Sequence, residues 1–203
     1  MSVRPSLLRL LAHARLTLRS SPGRICLHLQ YDFSLILSAY ILRTFNLRLF
    51  PPFLSPLDSH IIQGSLPFPA DVPTMVGEGV TLVVNMCLEY PGPTREYEKH
   101  GIEQLRLPFV DTESVSASGL IKGAAKIKQH LSDRPDGKIF IHCKGGIARA
   151  STMTLAHYVL NERDTDVDGR VRWMKAKRGV VFEGVKGFGV VKELVEGVKT
   201  EKM

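Results

Sequence analysis

One short segment of the chain carries the residue types for covalent phosphate chemistry. It reads Ile141-His142-Cys143-Lys144-Gly145-Gly146-Ile147-Ala148-Arg149, a cysteine and an arginine separated by five residues. A short loop with glycines can curl so that successive backbone N–H groups face inward as an anion nest. Gly145 and Gly146 permit the tight curl and a positive φ. A helix starting where the loop ends adds the positive end of its dipole and its unpaired N–H groups. Cys143 is the candidate nucleophile, because the field that attracts phosphate also favours a thiolate. Its attack on phosphorus gives a cysteinyl-phosphate. Arg149 can hold two phosphate oxygens with its planar fork. Lys144, Gly145, Gly146, Ile147, Ala148 and Arg149 are the residues expected to bind the phosphate, stabilising charge on its oxygens. This chemistry calls for no metal and no cofactor.

Other readings of the segment fit less well. The loop that cradles nucleoside triphosphates ends in Gly-Lys-Ser/Thr, which is absent here. A zinc site at His142 and Cys143 lacks a second ligand pair at metal spacing. The chain has only Cys26, Cys87 and Cys143, far apart and odd in number, so no disulfide framework is suggested. Cys26 and Cys87 read as small apolar packing residues. The net charge of +7 invites a nucleic-acid partner, yet residues 1–31 hold five arginines and no acid, and without them the balance is +2. The body lacks the charge excess of a phosphate-backbone binder, so no nucleic acid is expected.

The segment needs a strand before it and a helix after it. Lys138–His142 reads as a buried strand and Ala148–Asn161 as a helix. Upstream, strands are expected at His60–Gln63, Val80–Asn85 and Ile102–Leu107, and helices at Thr94–His100 and Leu120–Leu131, the latter capped by Ser116 or Ser118. Two more helices, about Val167–Lys177 and Lys186–Val198, end the pattern. Strands alternating with helices imply an α/β domain, a central mainly parallel sheet of about four to five strands flanked by helices. Ligands of such sheets bind at the carboxyl ends of strands, where Cys143 falls.

Residues 57–198 are expected to form this domain and residues 1–56 a separate leader. The first 30 residues are rich in Arg, Leu and Ser without acids, the profile of an organelle-targeting segment. The apolar run 33–42 is shorter than the roughly 20 residues that span a bilayer. With Arg43, Arg48 and the apolar residues up to Leu54, it suits either a membrane interface or a helix packed on the domain. Pro51, Pro52 and Pro56 mark the expected linker.

His142, Cys143, Gly146 and Arg149 match His-Cys-x-x-Gly-x-x-Arg, the signature of the protein tyrosine and dual-specificity phosphatase superfamily, which the chain resembles. It resembles most the mitochondrial dual-specificity-like phosphatases that dephosphorylate phosphatidylglycerophosphate in cardiolipin synthesis. Ile62-Gln63-Gly64-Ser65-Leu66-Pro67, Asn85-Met86-Cys87-Leu88-Glu89-Tyr90 and Gly101–Leu107 carry that likeness, which runs from about 57 to 160. The resemblance implies the cysteine-phosphatase fold and a general acid on the loop after a strand. Asp111 sits at the matching place, with Glu113 its local rival, and could protonate the leaving oxygen and later activate water.

Two positions depart from the family pattern. Ala150 stands where the family keeps a hydroxyl thought to stabilise the departing thiolate, with Ser151 one place later. Ile147 stands where lipid-directed relatives carry a second basic residue beside Lys144. The resemblance implies a phosphatidylglycerophosphate phosphatase, peripherally associated with a membrane, acting at the mitochondrial inner membrane; plastid and cytoplasmic locations stay open. A phosphoprotein phosphatase is the enzyme alternative. A phosphate-binding pseudophosphatase is the non-enzyme one, suggested by Ala150 and opposed by the presence of Cys143, Arg149 and Asp111.

Overall fold

In the computed structural model the described residues are 53–111 and 113–201. The targeting-like leader and the apolar run at 33–42 lie outside them. Five strands form one sheet: β1 (Leu54–Pro56), β2 (Ile61–Gly64), β3 (Val80–Cys87), β4 (Glu103–Phe109) and β5 (Lys138–His142). The spatial order is β1-β2-β5-β3-β4, with β1 antiparallel and every other pairing parallel. Among the described residues six α-helices accompany them: α1 (Val72–Gly77), α2 (Thr94–Lys99), α3 (Ala117–Asp133), α4 (Arg149–Asn161), α5 (Val167–Lys177) and α6 (Gly189–Thr200). The expected mainly parallel α/β sheet is what forms.

Alternation along the strands divides the core between two faces. Leu82, Val84, Ile139 and Ile141 pack on one face with Leu120 and Ile127 of α3, Met153 of α4 and Leu194 of α6. Val80, Val83, Phe140 and Ile62 pack on the other with Val72 and Met75 of α1 and Tyr97 of α2. Helix α4 is buried from Arg149 through Val159, so its polar Ser151 and Thr152 return their hydroxyls to backbone carbonyls one turn back.

Register brings four strand ends to one edge. His142 lies opposite both Gly64 of β2 and Asn85 of β3, and Cys87 of β3 opposite Phe109 of β4. The segments that leave those ends carry Cys143, Glu89 and Asp111 to a common place.

Three expectations need correction. Pro56 was read as linker, and the domain was taken to start at 57. Instead Leu54–Pro56 adds an edge strand, with Pro56 opposite Ile62. An edge position tolerates proline, because no ladder donor is needed on its outer side. Helix α1 was not anticipated, because six residues are too few for a full amphipathic period. The last helix starts at Gly189 rather than Lys186, since Glu183–Gly187 forms a 3₁₀ turn. Of the two proposed caps for α3, Ser116 is the one used; its hydroxyl accepts from the Gly119 N–H at 3.2 Å.

Gly64 closes β2 where no side chain fits. A Cβ there would meet the Phe53 carbonyl oxygen at 2.2 Å and the Phe140 ring at 2.5 Å. Gly64→Ala is expected to cost about 1–3 kcal/mol of stability through overpacking, read by urea denaturation. A loss below about 0.5 kcal/mol, the range of neutral surface changes, would show that this corner yields freely.

Candidate active site

The loop Cys143–Ala148 joins β5 to α4. Gly146 takes φ +66°, and a Cβ on it would meet the Gly64 carbonyl oxygen at 2.3 Å. Only glycine satisfies both conditions. The loop is held from behind by two buried side chains. Gln63 Nε2 donates to Gly146 O at 3.0 Å. Arg178, just after α5, donates Nε to Gly146 O at 3.1 Å and Nη2 to Gly145 O at 3.0 Å. A trans peptide points its N–H opposite its C=O. Carbonyls drawn back to Gln63 and Arg178 therefore turn the next N–H groups to the opposite side, the arrangement of an anion nest. Burial lowers the Arg178 pKa to about 10, and the charge of Cys143 works in the other direction.

Cys143 follows β5 at 3% exposure, at the rim of this loop. His142 before it is fully buried, stacked on Phe140, with Nδ1 3.4 Å from the Cys143 carbonyl oxygen. Burial lowers its pKa to about 3, so the ring is neutral. Cys87 packs in the core, as expected, and burial raises its thiol pKa, followed by the neighbouring Cys143 charge.

Arg149 is the first residue of α4 and is buried. Glu89, on the segment after β3, holds it with a two-point fork: Nη1 to Oε2 at 2.9 Å and Nη2 to Oε1 at 2.7 Å. Nη1 also donates to Phe109 O at 2.8 Å, at the end of β4. Burial alone disfavours the Arg149 charge; the bonds to Glu89, together with the charges of Cys143, Cys87 and Glu89, outweigh it, and the pKa lies above its ordinary value. Nε is buried and has no partner among the described residues, a donor suited to a phosphate oxygen.

Asp111 is carried to the same place. Its carboxylate lies 3.1 Å from Arg149 Nη2 and 3.1 Å from Lys144 Nζ. Glu113, its rival, is an exposed side chain. The structure thus brings together Cys143, Lys144, Arg149 and Asp111. Ile147 is exposed, and Ala150 is fully buried. Ser151 does not replace the missing hydroxyl. Its Oγ donates to Ile147 O at 2.7 Å and accepts from Gln63 Nε2 at 2.8 Å, so its one proton is directed away from sulfur.

Glu89, Gln63 and Arg178 were not singled out from sequence. Glu89 and Gln63 sit inside segments that carried the family likeness, which was the available signal. Arg178 stands among lysines 32 residues beyond Gly146, where no local spacing marks it.

Comparison with known proteins agrees with the geometry. The family model for the dual specificity phosphatase catalytic domain matches residues 69–196. Dual specificity protein phosphatase 26 of Bos taurus is 30% identical over 104 residues, covering 51% of this chain and 49% of the relative. Phosphatidylglycerophosphatase and protein-tyrosine phosphatase 1 of Mus musculus is 32% identical over 111 residues, covering 51% and 56%. The chain thus spans about half the length of these relatives. A crystal structure of PTPMT1 in complex with PI(5)P superposes with a TM-score of 0.65 at 20% identity, covering 75% of this chain and all of the other. Tk-PTP in its active form gives 0.63 at 24% identity, covering 71% and 97%. The fold is therefore that of the cysteine phosphatases, and the chain belongs to the dual specificity phosphatase catalytic domain family.

Proposed function

We propose that the protein is a cysteine-dependent phosphomonoester hydrolase whose substrate is phosphatidylglycerophosphate. The observation that carries the chemistry is the convergence of Cys143, Arg149 and Asp111 at one loop, with the guanidinium 3.1 Å from the carboxylate. On this reading the Cys143 thiolate attacks phosphorus as the ester P–O bond breaks. The protonated Asp111 carboxyl gives its proton to the leaving alkoxide. Asp111, now ionised, takes a proton from water as the water oxygen attacks phosphorus. The S–P bond breaks, releasing phosphate and restoring the thiolate. The backbone nest and Arg149 stabilise the equatorial oxygens in both steps. With Ala150 apolar and the Ser151 proton on Ile147 O, the second step lacks a hydroxyl to assist the thiolate.

The lipid assignment draws on the resemblance of segments 62–67, 85–90 and 101–107, on Lys144 beside the nucleophile, and on the named activity of the mouse relative. The acid-free basic residues 1–31 support a mitochondrial site of action. Activity on phosphoproteins is the second reading, favoured by Ile147 in place of a second cation and by the bovine relative's name.

A substrate panel on the full chain separates the two. Micellar phosphatidylglycerophosphate is expected to exceed phosphotyrosyl and phosphoseryl peptides in kcat/KM by at least about a hundredfold. A preference for peptide would reverse the assignment. Cys143→Ser in the same panel is expected to lose about a thousandfold or more of turnover.

Asp111→Asn is expected to slow lipid hydrolysis about a hundredfold and an activated aryl phosphate far less. Equal slowing of both would exclude proton donation by Asp111.

Glu89→Gln weakens the fork on Arg149 without changing its shape. A ten- to hundredfold loss in kcat/KM is expected, roughly the worth of a hydrogen bond to a charged group, together with weaker competition by vanadate. Unchanged vanadate affinity would place Glu89 outside the positioning of Arg149.

A further inference from the structure

Among the described residues six large apolar side chains are exposed: Val76, Leu88, Ile121, Ile147, Phe182 and Phe188. Single exposed apolar residues are ordinary; a cluster around one opening is not. Three of these six lie in the loop or beside it. Ile147 is in the loop itself, 42% exposed. The Phe182 N–H donates to Ile147 O at 3.0 Å, which fixes Phe182 beside the loop, 46% exposed. Phe188, 37% exposed, lies with its ring centroid 6.1 Å from that of Phe182.

The placement of the two phenylalanines is built into the chain. The Phe182 ring lies over Gly184, where a Cβ would meet it at 2.4 Å. Gly184 and Gly187 lie in the turn between the two rings. The segment 175–192 also carries Lys175, Lys177, Lys186 and Lys192 against the single acid Glu183. Glu183 and Asp168 offset part of that charge through Lys175 and Lys186.

We propose that Ile147, Phe182 and Phe188 form a rim that seats in the interface of an anionic phospholipid bilayer while the phosphomonoester headgroup enters the Cys143–Arg149 loop. The inference rests on the lipid reading above. Aromatic and aliphatic side chains flanked by lysines are the composition that partitions into such an interface. A peptide lying on the same rim would present backbone N–H and C=O groups to side chains that cannot bond them, an unfavourable desolvation. The rim is continuous with the loop through the Phe182–Ile147 hydrogen bond, so a surface that delivers phosphate to Cys143 also meets Phe182.

The test uses the full chain with Phe182→Ser and Phe188→Ser combined. Phosphatidylglycerophosphate is offered in phosphatidylcholine vesicles containing phosphatidylglycerol, and separately as a short-chain form dissolved as monomers. Turnover on vesicles is expected to fall at least about tenfold, from the loss of two buried rings. Turnover on the monomeric form should stay within about twofold of the unsubstituted protein, which also reports an intact fold. Phe182→Leu with Phe188→Leu should keep most of the vesicle rate. Equal loss on both presentations, or no loss on vesicles, overturns the rim. If the unsubstituted protein hydrolyses phosphopeptide and neither lipid form, the proposed substrate fails. Cosedimentation with substrate-free vesicles then decides the rim separately: weaker partition of the serine pair supports it, unchanged partition overturns it.

Discussion

A guanidinium buried at the start of a helix is costly unless an anion meets it, and Arg149 meets Glu89 in a two-point fork at 2.7 and 2.9 Å. Much of the site follows from that single pairing. To reach Arg149, the segment leaving β3 must turn back over the sheet edge, and the carbonyl of Phe109 must come to Nη1. That second contact sets where β4 ends, and Asp111 lies two residues further on. Arg149, Glu89 and Asp111 are thus brought to one place by one charge and the strand ends that surround it, beside Cys143 at the end of β5.

The loop has a second constraint, of backbone origin. Gly146 at φ +66° lies against the Gly64 carbonyl, so β2 and the loop approach more closely than any side chain would allow. Gln63 and Arg178 then take up the loop carbonyls, which satisfies buried acceptors that have no place in the sheet. The carbonyls of Gly145 and Gly146 are thereby held on the side of Gln63 and Arg178.

Much of this was legible in the chain because it is local. Strand β5, the glycine loop and the start of α4 are contiguous, and each obeys periodicity or turn chemistry within a few residues. Asp111 was found by likeness, and its position beside Arg149 separates it from Glu113. The parts that were not legible depend on tertiary closeness. Glu89 lies 60 residues from Arg149, and Arg178 lies 123 residues from Ser55. An acid or arginine in such a place looks the same in sequence as a solvated one. Strand β1 was hidden for a different reason: its proline reads as a linker until a sheet edge is available to receive it. Ser151 was a plausible hydroxyl by position, and only the geometry of α4 shows its proton directed to Ile147 O.

Arg178 also reaches the edge of the sheet, donating Nη1 to Ser55 Oγ at 2.9 Å while its other nitrogens hold Gly145 and Gly146. One side chain therefore spans from the Cys143–Ala148 loop to the strand at which the described domain begins. A pull on the chain ahead of Phe53 would load β1 first, an antiparallel edge strand of three residues that can unzip pair by pair. Because Ser55 sits in the middle of that strand, its release would remove one of the partners that fix the Arg178 guanidinium behind Gly145 and Gly146.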